Sequence, residues 1–198
     1  MSRYAGTNQL GTYLSSNGLL GTLENGLLQD CLNRAESVID DYTRRNFLGT
    51  AGTAYYNRFT QGQMAGQAFY LNQDLFSLTS LTLGDGRGVP VGSVWLEPRN
   101  AGPPYRVLRL KSSYVYTWNT DSDMSIAGTW GYGTVVPDSI VAATIEYAAY
   151  LYRLKDVGPG GQDVAGFPEG GEVQYPKGMP EHIKWKLTPY RSRSGGVI

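Results

Sequence analysis

Two stretches of helical periodicity stand far apart in this chain, and the residues between them have the texture of strands. In the first stretch, Leu27, Leu28, Cys31, Leu32, Ala35, Val38, Ile39 and Tyr42 recur at intervals of three and four. That spacing lays an apolar stripe along one face of a helix. It predicts a helix over residues 23–46, with Thr22 as its N-cap. Glu24 near its start and Arg44-Arg45 near its end suit the helix dipole. In the second stretch, Ile140, Val141, Thr144, Tyr147, Ala148, Leu151 and Tyr152 repeat the pattern, ending near Lys155-Asp156. Pro137 takes the first helical position there, with Asp138 behind it.

After Phe47 the periodicity changes. Leu48–Thr53 reads as a loop, and short β-favouring runs follow, punctuated by Gly, Asn, Asp and Pro. The candidate strands are 54–59, 67–71, 78–83, 91–96, 105–110, 114–118 and 124–130. In the last, Met124, Ile126, Gly128 and Trp130 alternate with Ser125, Ala127 and Thr129, the period of a half-buried strand. Asp85-Gly86 is a tight-turn pair. Before the first long helix, Gln9–Leu14 offers a helical turn or two. After the second, residues 157–179 are rich in Gly and Pro and read as a long loop. Residues 180–187 predict a short third helix that stops before Pro189, and a basic tail closes the sequence.

The expected fold is therefore α+β. A mainly helical core, with two long helices and a short C-terminal helix, carries an antiparallel sheet or barrel-like insertion between the long helices. The expected boundaries are residues 1–50 and 135–198 for the two parts of the core and 51–134 for the insertion.

Charge narrows the functional classes. The 17 basic and 17 acidic residues cancel, whereas a dedicated nucleic-acid binder carries a basic excess. Charged residues make up only 17% of the chain, below the usual ~25%. A single cysteine, Cys31, permits no internal disulfide and no cysteine-based zinc site, and its place on the apolar stripe reads as a small core residue. No signal-peptide core and no membrane-length apolar run is present, so a soluble protein made in the cytoplasm is expected.

No catalytic or metal-binding constellation is recognisable, and no cofactor is expected. His182 is the only histidine and has no cysteine or second histidine nearby. Asn119, Asp121 and Asp123 have the spacing that opens a calcium loop, but Met124 stands where Gly is required and Trp130 where a bidentate Glu is required. Gly158–Gly161 lacks the following Lys-Ser/Thr of a phosphate loop and follows a helix instead of a strand. Asp40, Asp41 and Glu146 read as solvated helix positions. Arg44 and Arg45 are open to two readings: contacts to phosphate or a neighbour's carboxylates, or complements to a helix end.

The aromatic residues are the unusual feature. Tyr55, Tyr56, Phe69, Tyr70, Trp95, Tyr105, Tyr114, Tyr116, Trp118, Trp130 and Tyr132 all fall in the β segment. Strand alternation turns several outward, where Tyr and Trp mark protein contacts or, less often, sugar platforms. Tyr56, Trp95, Trp118 and Tyr132, with Arg44 and Arg45, are the candidate subunit or partner contacts. The rival reading is a carbohydrate- or host-binding β module that depends on Trp95 and Trp118.

The layout resembles the head–tail connector (adaptor) proteins of tailed bacteriophages. The first helix ends Ala35-Glu36-Ser37-Val38-Ile39-Asp40-Asp41-Tyr42-Thr43-Arg44-Arg45-Asn46-Phe47, similar to the family's first long helix with its Tyr-x-x-Arg ending. The strand Gly128–Gly133 leads into Val136-Pro137-Asp138 and an Ala-rich helix ending Tyr150-Leu151-Tyr152-Arg153, and Leu187–Arg191 follows the short last helix. The resemblance covers most of residues 22–191, with a β segment and a 157–179 loop that both look long. It implies a non-enzymatic virion protein of the neck: a homo-oligomeric ring, twelve copies to match the portal, that extends the DNA channel and carries stopper or tail proteins. Genomic DNA would pass without sequence-specific binding and no membrane would be involved. It places Leu187, Pro189, Tyr190, Arg191 and Arg193 at the portal contact.

Overall fold

The computed structural model describes residues 4–18, 24–56, 64–111, 116–118, 122–154 and 178–192. The chain divides into two compact units, Met1–Arg44 with Pro137–Ser192, and Arg45–Val136.

Within the described residues the first unit is helical. α1 (Thr7–Ser16) extends the expected turn or two, and the Gln9 side chain accepts the Gly6 N–H at 2.9 Å to hold its start. α2 (Asn25–Thr43) buries Leu28, Cys31, Leu32, Ala35 and Ile39, with Leu27, Val38 and Tyr42 half-buried at the margins of the same stripe. Its N-cap is Glu24, and Thr22 lies outside the described residues. The helix ends short of the predicted residue 46 because Arg44 turns left-handed (φ 53°, ψ 40°), its N–H closing on the Asp40 carbonyl. An L side chain is strained there by roughly 1 kcal/mol. Arg44→Gly is therefore expected to stabilise the helical unit by about 0.5–1 kcal/mol, read as a shift in denaturation midpoint.

α3 (Asp138–Leu154) packs on α2 and buries Ile140, Ala143, Thr144, Tyr147, Ala148 and Tyr152. Pro137 lies one residue before the helix, not at its first position, and its carbonyl accepts the N–H groups of Ile140 and Val141. α4 (Glu181–Leu187) packs against α3 through Ile183 and Leu187, both fully buried. Lys186 and Glu146 join the two helices at 2.5 Å, and Tyr4 donates to Asp40 of α2 at 2.6 Å. Of the predicted 157–179 loop, only Gly178 and Met179 fall within the described residues.

The second unit is an antiparallel sheet of β1 (Thr50–Tyr56), β2 (Met64–Ala65), β3 (Ala68–Thr82), β4 (Gly88–Val89), β5 (Val94–Glu97), β6 (Tyr105–Leu110) and β7 (Met124–Trp130). The main order is β1-β7-β3-β6-β5, and β2 and β4 pair with β3. Among the described residues the order is open: β1 and β5 are its two ends, so the described strands form a sheet and do not close into a barrel. Phe69, Leu75, Leu81, Leu108, Met124 and Ile126 form the centre of its core.

β6 and β7 occupy the ranges predicted for them, 105–110 from its β-favouring residues and 124–130 from its alternation. β3 does not: of the ranges 67–71 and 78–83, expected as separate strands, residues 68–71 and 78–82 belong to one strand of 15 residues. A register shift between Tyr70 and Leu75 against β6 spans Asn72-Gln73-Asp74, and two more against β7 fall between Leu75 and Ser77 and between Leu78 and Ser80. Each shift resets which face the next side chain meets, which erases the two-residue period from the sequence. β1 begins inside the predicted loop 48–53, and residues 57–59 of the strand expected there lie outside the described residues. The predicted strand 91–96 splits into a 3₁₀ turn at Val91–Ser93 followed by β5. Tyr116–Trp118 is not in a strand, and Tyr114 lies outside the described residues. At Gly131 the backbone takes φ +139°, and a Cβ there would come 2.8 Å from the Gly49 Cα, so a glycine is needed on both counts.

Candidate functional site

Among the described residues, no three His, Cys, Asp or Glu side chains come together in a way suited to a metal ion, and no helix is long and apolar enough to cross a membrane. Asn119 and Asp121 of the weak calcium-loop pattern lie outside the described residues. His182 is exposed on α4, with Nε2 4.0 Å from a Glu146 carboxylate that Lys186 already holds at 2.5 and 2.7 Å. The candidate contact residues are defined by what their side chains already touch.

Arg44 and Arg45 part company. Arg44 is exposed at the end of α2. Arg45 is engaged within the β unit: Nη1 donates to Asp74 Oδ2 at 2.9 Å, while Arg106 Nε lies 2.9 Å from Oδ1 of the same carboxylate. The Asp74 side chain is 2% exposed and the two arginines 15% and 26%, so a nearly dry carboxylate is balanced by two guanidinium groups that keep some contact with water. Burial pushes the Asp74 carboxyl above its ordinary value, and the Arg45 and Arg106 charges pull it back only in part. The backbone joins in, since the Asp74 carbonyl accepts the Gly131 N–H at 2.8 Å. Tyr132 closes the cluster, with its ring centre 5.3 Å from the Arg45 Cζ and 5.4 Å from the Phe47 ring. Two predicted partner contacts, Arg45 and Tyr132, are thus bound to each other inside one unit. Asp74 and Arg106 carried no signal in sequence, because only the pairing of β3 with β6 brings them together.

Tyr56 and Trp118 meet on one core residue. Tyr56 stands edge-on to Phe69 at 5.1 Å, and Trp118 is tilted against the same ring at 5.4 Å while its Nε1 donates to the Gln67 carbonyl at 2.9 Å. Burial pushes the Tyr56 phenol up, and a hydrogen bond with the Asn72 backbone lowers it. A cleft of about 270 Å³ opens beside Trp118, lined by Met64, Gln67, Leu110 and Tyr116 among others.

Trp95 is clamped between cations. The Arg99 guanidinium lies 3.4 Å from its ring centre and the Lys111 ammonium 4.0 Å, with Lys111 also donating to the Gly92 carbonyl. Its cross-strand neighbour Arg109 grips Glu97 with two bonds of 2.7 and 3.3 Å. That bond, reinforced by the Arg109 and Arg99 charges, holds the Glu97 carboxyl below its ordinary value. A ring already engaged by two cations makes a poor sugar platform, which weakens the carbohydrate-binding alternative at Trp95.

In the C-terminal segment Leu187 is fully buried, Pro189 exposed and Tyr190 half-buried. Arg191 is exposed, with its Cζ 5.0 Å from the Tyr42 ring centre, and the Ser192 N–H donates to the Thr43 carbonyl at 2.8 Å. Arg193 lies outside the described residues. Two large side chains that the sequence did not single out are conspicuously bare: Trp185 on α4 at 75% exposure and Tyr55 on β1 at 70%.

No protein-family model matches the sequence, and no curated protein matches it. Solved structures do resemble the fold. A chain from the neck of an empty gene transfer agent particle, computed with C6 symmetry, is 17% identical with a TM-score of 0.61, covering 94% of this chain and 88% of that one. A chain from the neck of the native particle, computed with C12 symmetry, is 15% identical with a TM-score of 0.59 over the same shares. A chain from the virion of the native gene transfer agent is 18% identical with a TM-score of 0.56, covering 94% of this chain and 89% of that one. At these identities the likeness is one of fold, and it runs through nearly the whole of both chains.

Proposed function

We propose that this chain is a structural virion protein of the neck of a phage-like particle: an adaptor that forms a ring beneath the portal, extends the DNA channel and carries stopper or tail proteins. One observation carries the reading: the helical unit with its inserted sheet has the fold of gene transfer agent neck chains over 94% of its length. Two of those neck structures were computed with C6 and C12 symmetry, which supports a ring of twelve copies here. A role built from contacts also suits what the side chains do. Arg45, Asp74, Arg106, Arg109 and Glu97 are engaged in holding the sheet, and Lys186 and Glu146 in joining two helices.

The portal contact is assigned to Pro189, Tyr190, Arg191 and Arg193. Leu187 is fully buried and acts from beneath as the anchor of this segment. Truncation at Lys186 would strip that anchor from α4, so the test removes only Arg193–Ile198 and, separately, makes Arg191→Glu. Both variants are expected to keep the wild-type unfolding midpoint and to bind the cognate portal at least tenfold more weakly in sedimentation assays. Electron microscopy of the intact chain with portal is expected to show one ring on the portal's tail-facing end. Portal binding unchanged in both variants would refute the assignment of this segment, and absence of any complex would refute the adaptor role.

A further inference from the structure

β1 is an edge strand of unusual character. It runs for seven residues, Thr50-Ala51-Gly52-Thr53-Ala54-Tyr55-Tyr56, without a charge or a proline, and its pairing with β7 is unbroken by any bulge. Thr50, Ala51, Gly52, Thr53 and Tyr55 are all exposed. Among the described residues no strand pairs with its outer edge, and the Trp130 indole donates to the Gly52 carbonyl at 3.1 Å. Soluble proteins blunt such edges with lysine, proline, bulges or very short strands, because a free row of N–H and C=O groups recruits another strand. None of those devices is present here, and a tyrosine that is 70% exposed stands on the solvent side of the strand.

The same sheet offers a complementary edge at its other end. β5 pairs only with β6 among the described strands. The register fixes which faces would line up. On β1, Ala54 and Tyr56 pair with the buried Ile126 and Met124, so Thr53 and Tyr55 point to the outer face. On β5, Leu96 pairs with buried Leu108, so Trp95 and Glu97 point to that same outer face. Joining β1 of one copy to β5 of the next would continue one face of the sheet across the junction. It would set Tyr55 beside the Trp95, Arg99 and Lys111 cluster.

We infer that β1 adds to the β5 edge of a neighbouring copy of this chain, so that the sheets of successive subunits become continuous. This is a heterologous contact, the kind that closes into a ring when the rotation per subunit allows it. The inference rests on the ring reading above and specifies its interface. Main-chain pairing supplies the adhesion, and the aromatic and cationic side chains on the outer face set the order of neighbours.

The test uses the full chain. Thr53→Lys and Tyr55→Lys each place a cation on the edge and opposite the neighbour's Arg99 and Lys111. Both are expected to keep the wild-type circular dichroism spectrum and to raise the concentration needed for ring formation at least tenfold, measured by native mass spectrometry with and without portal. Tyr55→Phe is expected to assemble normally. In the wild type, those amides of residues 51–55 that face away from β7 are expected to exchange at least tenfold more slowly in the ring than in the free chain. A ring that survives both lysine variants, or that leaves these amides unprotected, overturns the strand contact and leaves the ring reading standing. A wild-type chain that stays monomeric even on the portal overturns the ring reading and the strand contact with it.

Discussion

Replacing Asp74 with alanine is expected to destabilise the β unit by about 3 kcal/mol, near the lower end of the range for breaking a buried ion pair. The size follows from what remains. Arg45 and Arg106 each lie 2.9 Å from the carboxylate and would be left facing each other without it, one only 15% and the other 26% exposed. Their residual access to water keeps the loss from being larger. Chemical denaturation followed by tryptophan fluorescence would measure it, since Trp95, Trp118 and Trp130 all lie in this unit. Replacing all three charges by apolar residues of similar size is expected to recover much of the loss, because the desolvation cost disappears with the pair. The pH dependence has a defined sign. Asp74 is pushed up on folding, so the folded chain holds a proton at pH values where the unfolded chain has released it. This proton-linked stabilisation, distinct from the pairing that Asp74→Ala removes, is therefore present below the ordinary aspartate value and is lost as pH rises through the elevated one. That dependence should be missing from Asp74→Ala. A variant that unfolds at the wild-type midpoint would show that the cluster does not hold the sheet.

How far such features could be seen in advance depends on whether they are written in a local period. α2 and α3 were legible because each buries a stripe of 3.6-residue periodicity, and β7 because its side chains alternate cleanly. β3 was not, since its register shifts interrupt the alternation, and Asp74 sits buried in the gap left between the two candidate strands 67–71 and 78–83. β1 was hidden for the opposite reason. Its first four residues are exposed, so nothing selects apolar side chains there, and Thr50-Ala51-Gly52-Thr53 has the composition of a loop. The candidate contact residues divide in the same way. The sequence pointed to Trp95, Tyr132 and Arg45 as chemically conspicuous. Their partners Lys111, Phe47 and Asp74 are set by strand register and chain reversal, which no local pattern encodes. The exposure of Tyr55 was beyond reach too, because Tyr55 and Tyr56 are identical neighbours until the sheet turns one to the core and the other to solvent.

Gly128→Ala is expected to be the most damaging Gly→Ala change among the described residues, costing at least about 3 kcal/mol and breaking the β3–β7 pairing. A Cβ at this position would lie 2.1 Å from the Ser77 carbonyl oxygen and 3.1 Å from a Leu75 methyl. The first of these atoms is backbone, held within the bulged stretch where β3 crosses from Leu75 to Ser77 against β7, so it cannot swing aside as a side-chain tip would. The control is the residue directly opposite. Gly52 pairs with Gly128 across β1 and β7, yet a Cβ on Gly52 would find nothing nearer than the Trp130 ring at 3.9 Å. Gly52→Ala is accordingly expected to change stability by no more than about 0.5 kcal/mol, with any gain coming from reduced freedom of the unfolded chain. Two glycines in register, given the same substitution, should therefore differ several-fold in effect. Glycine content and strand propensity treat them alike, so only close backbone approach on one side of β7 can separate them. Equal unfolding midpoints for the two variants would mean that β3 does not pass over Gly128 as described. The bulged pairing, which also positions Asp74, would then have to be redrawn.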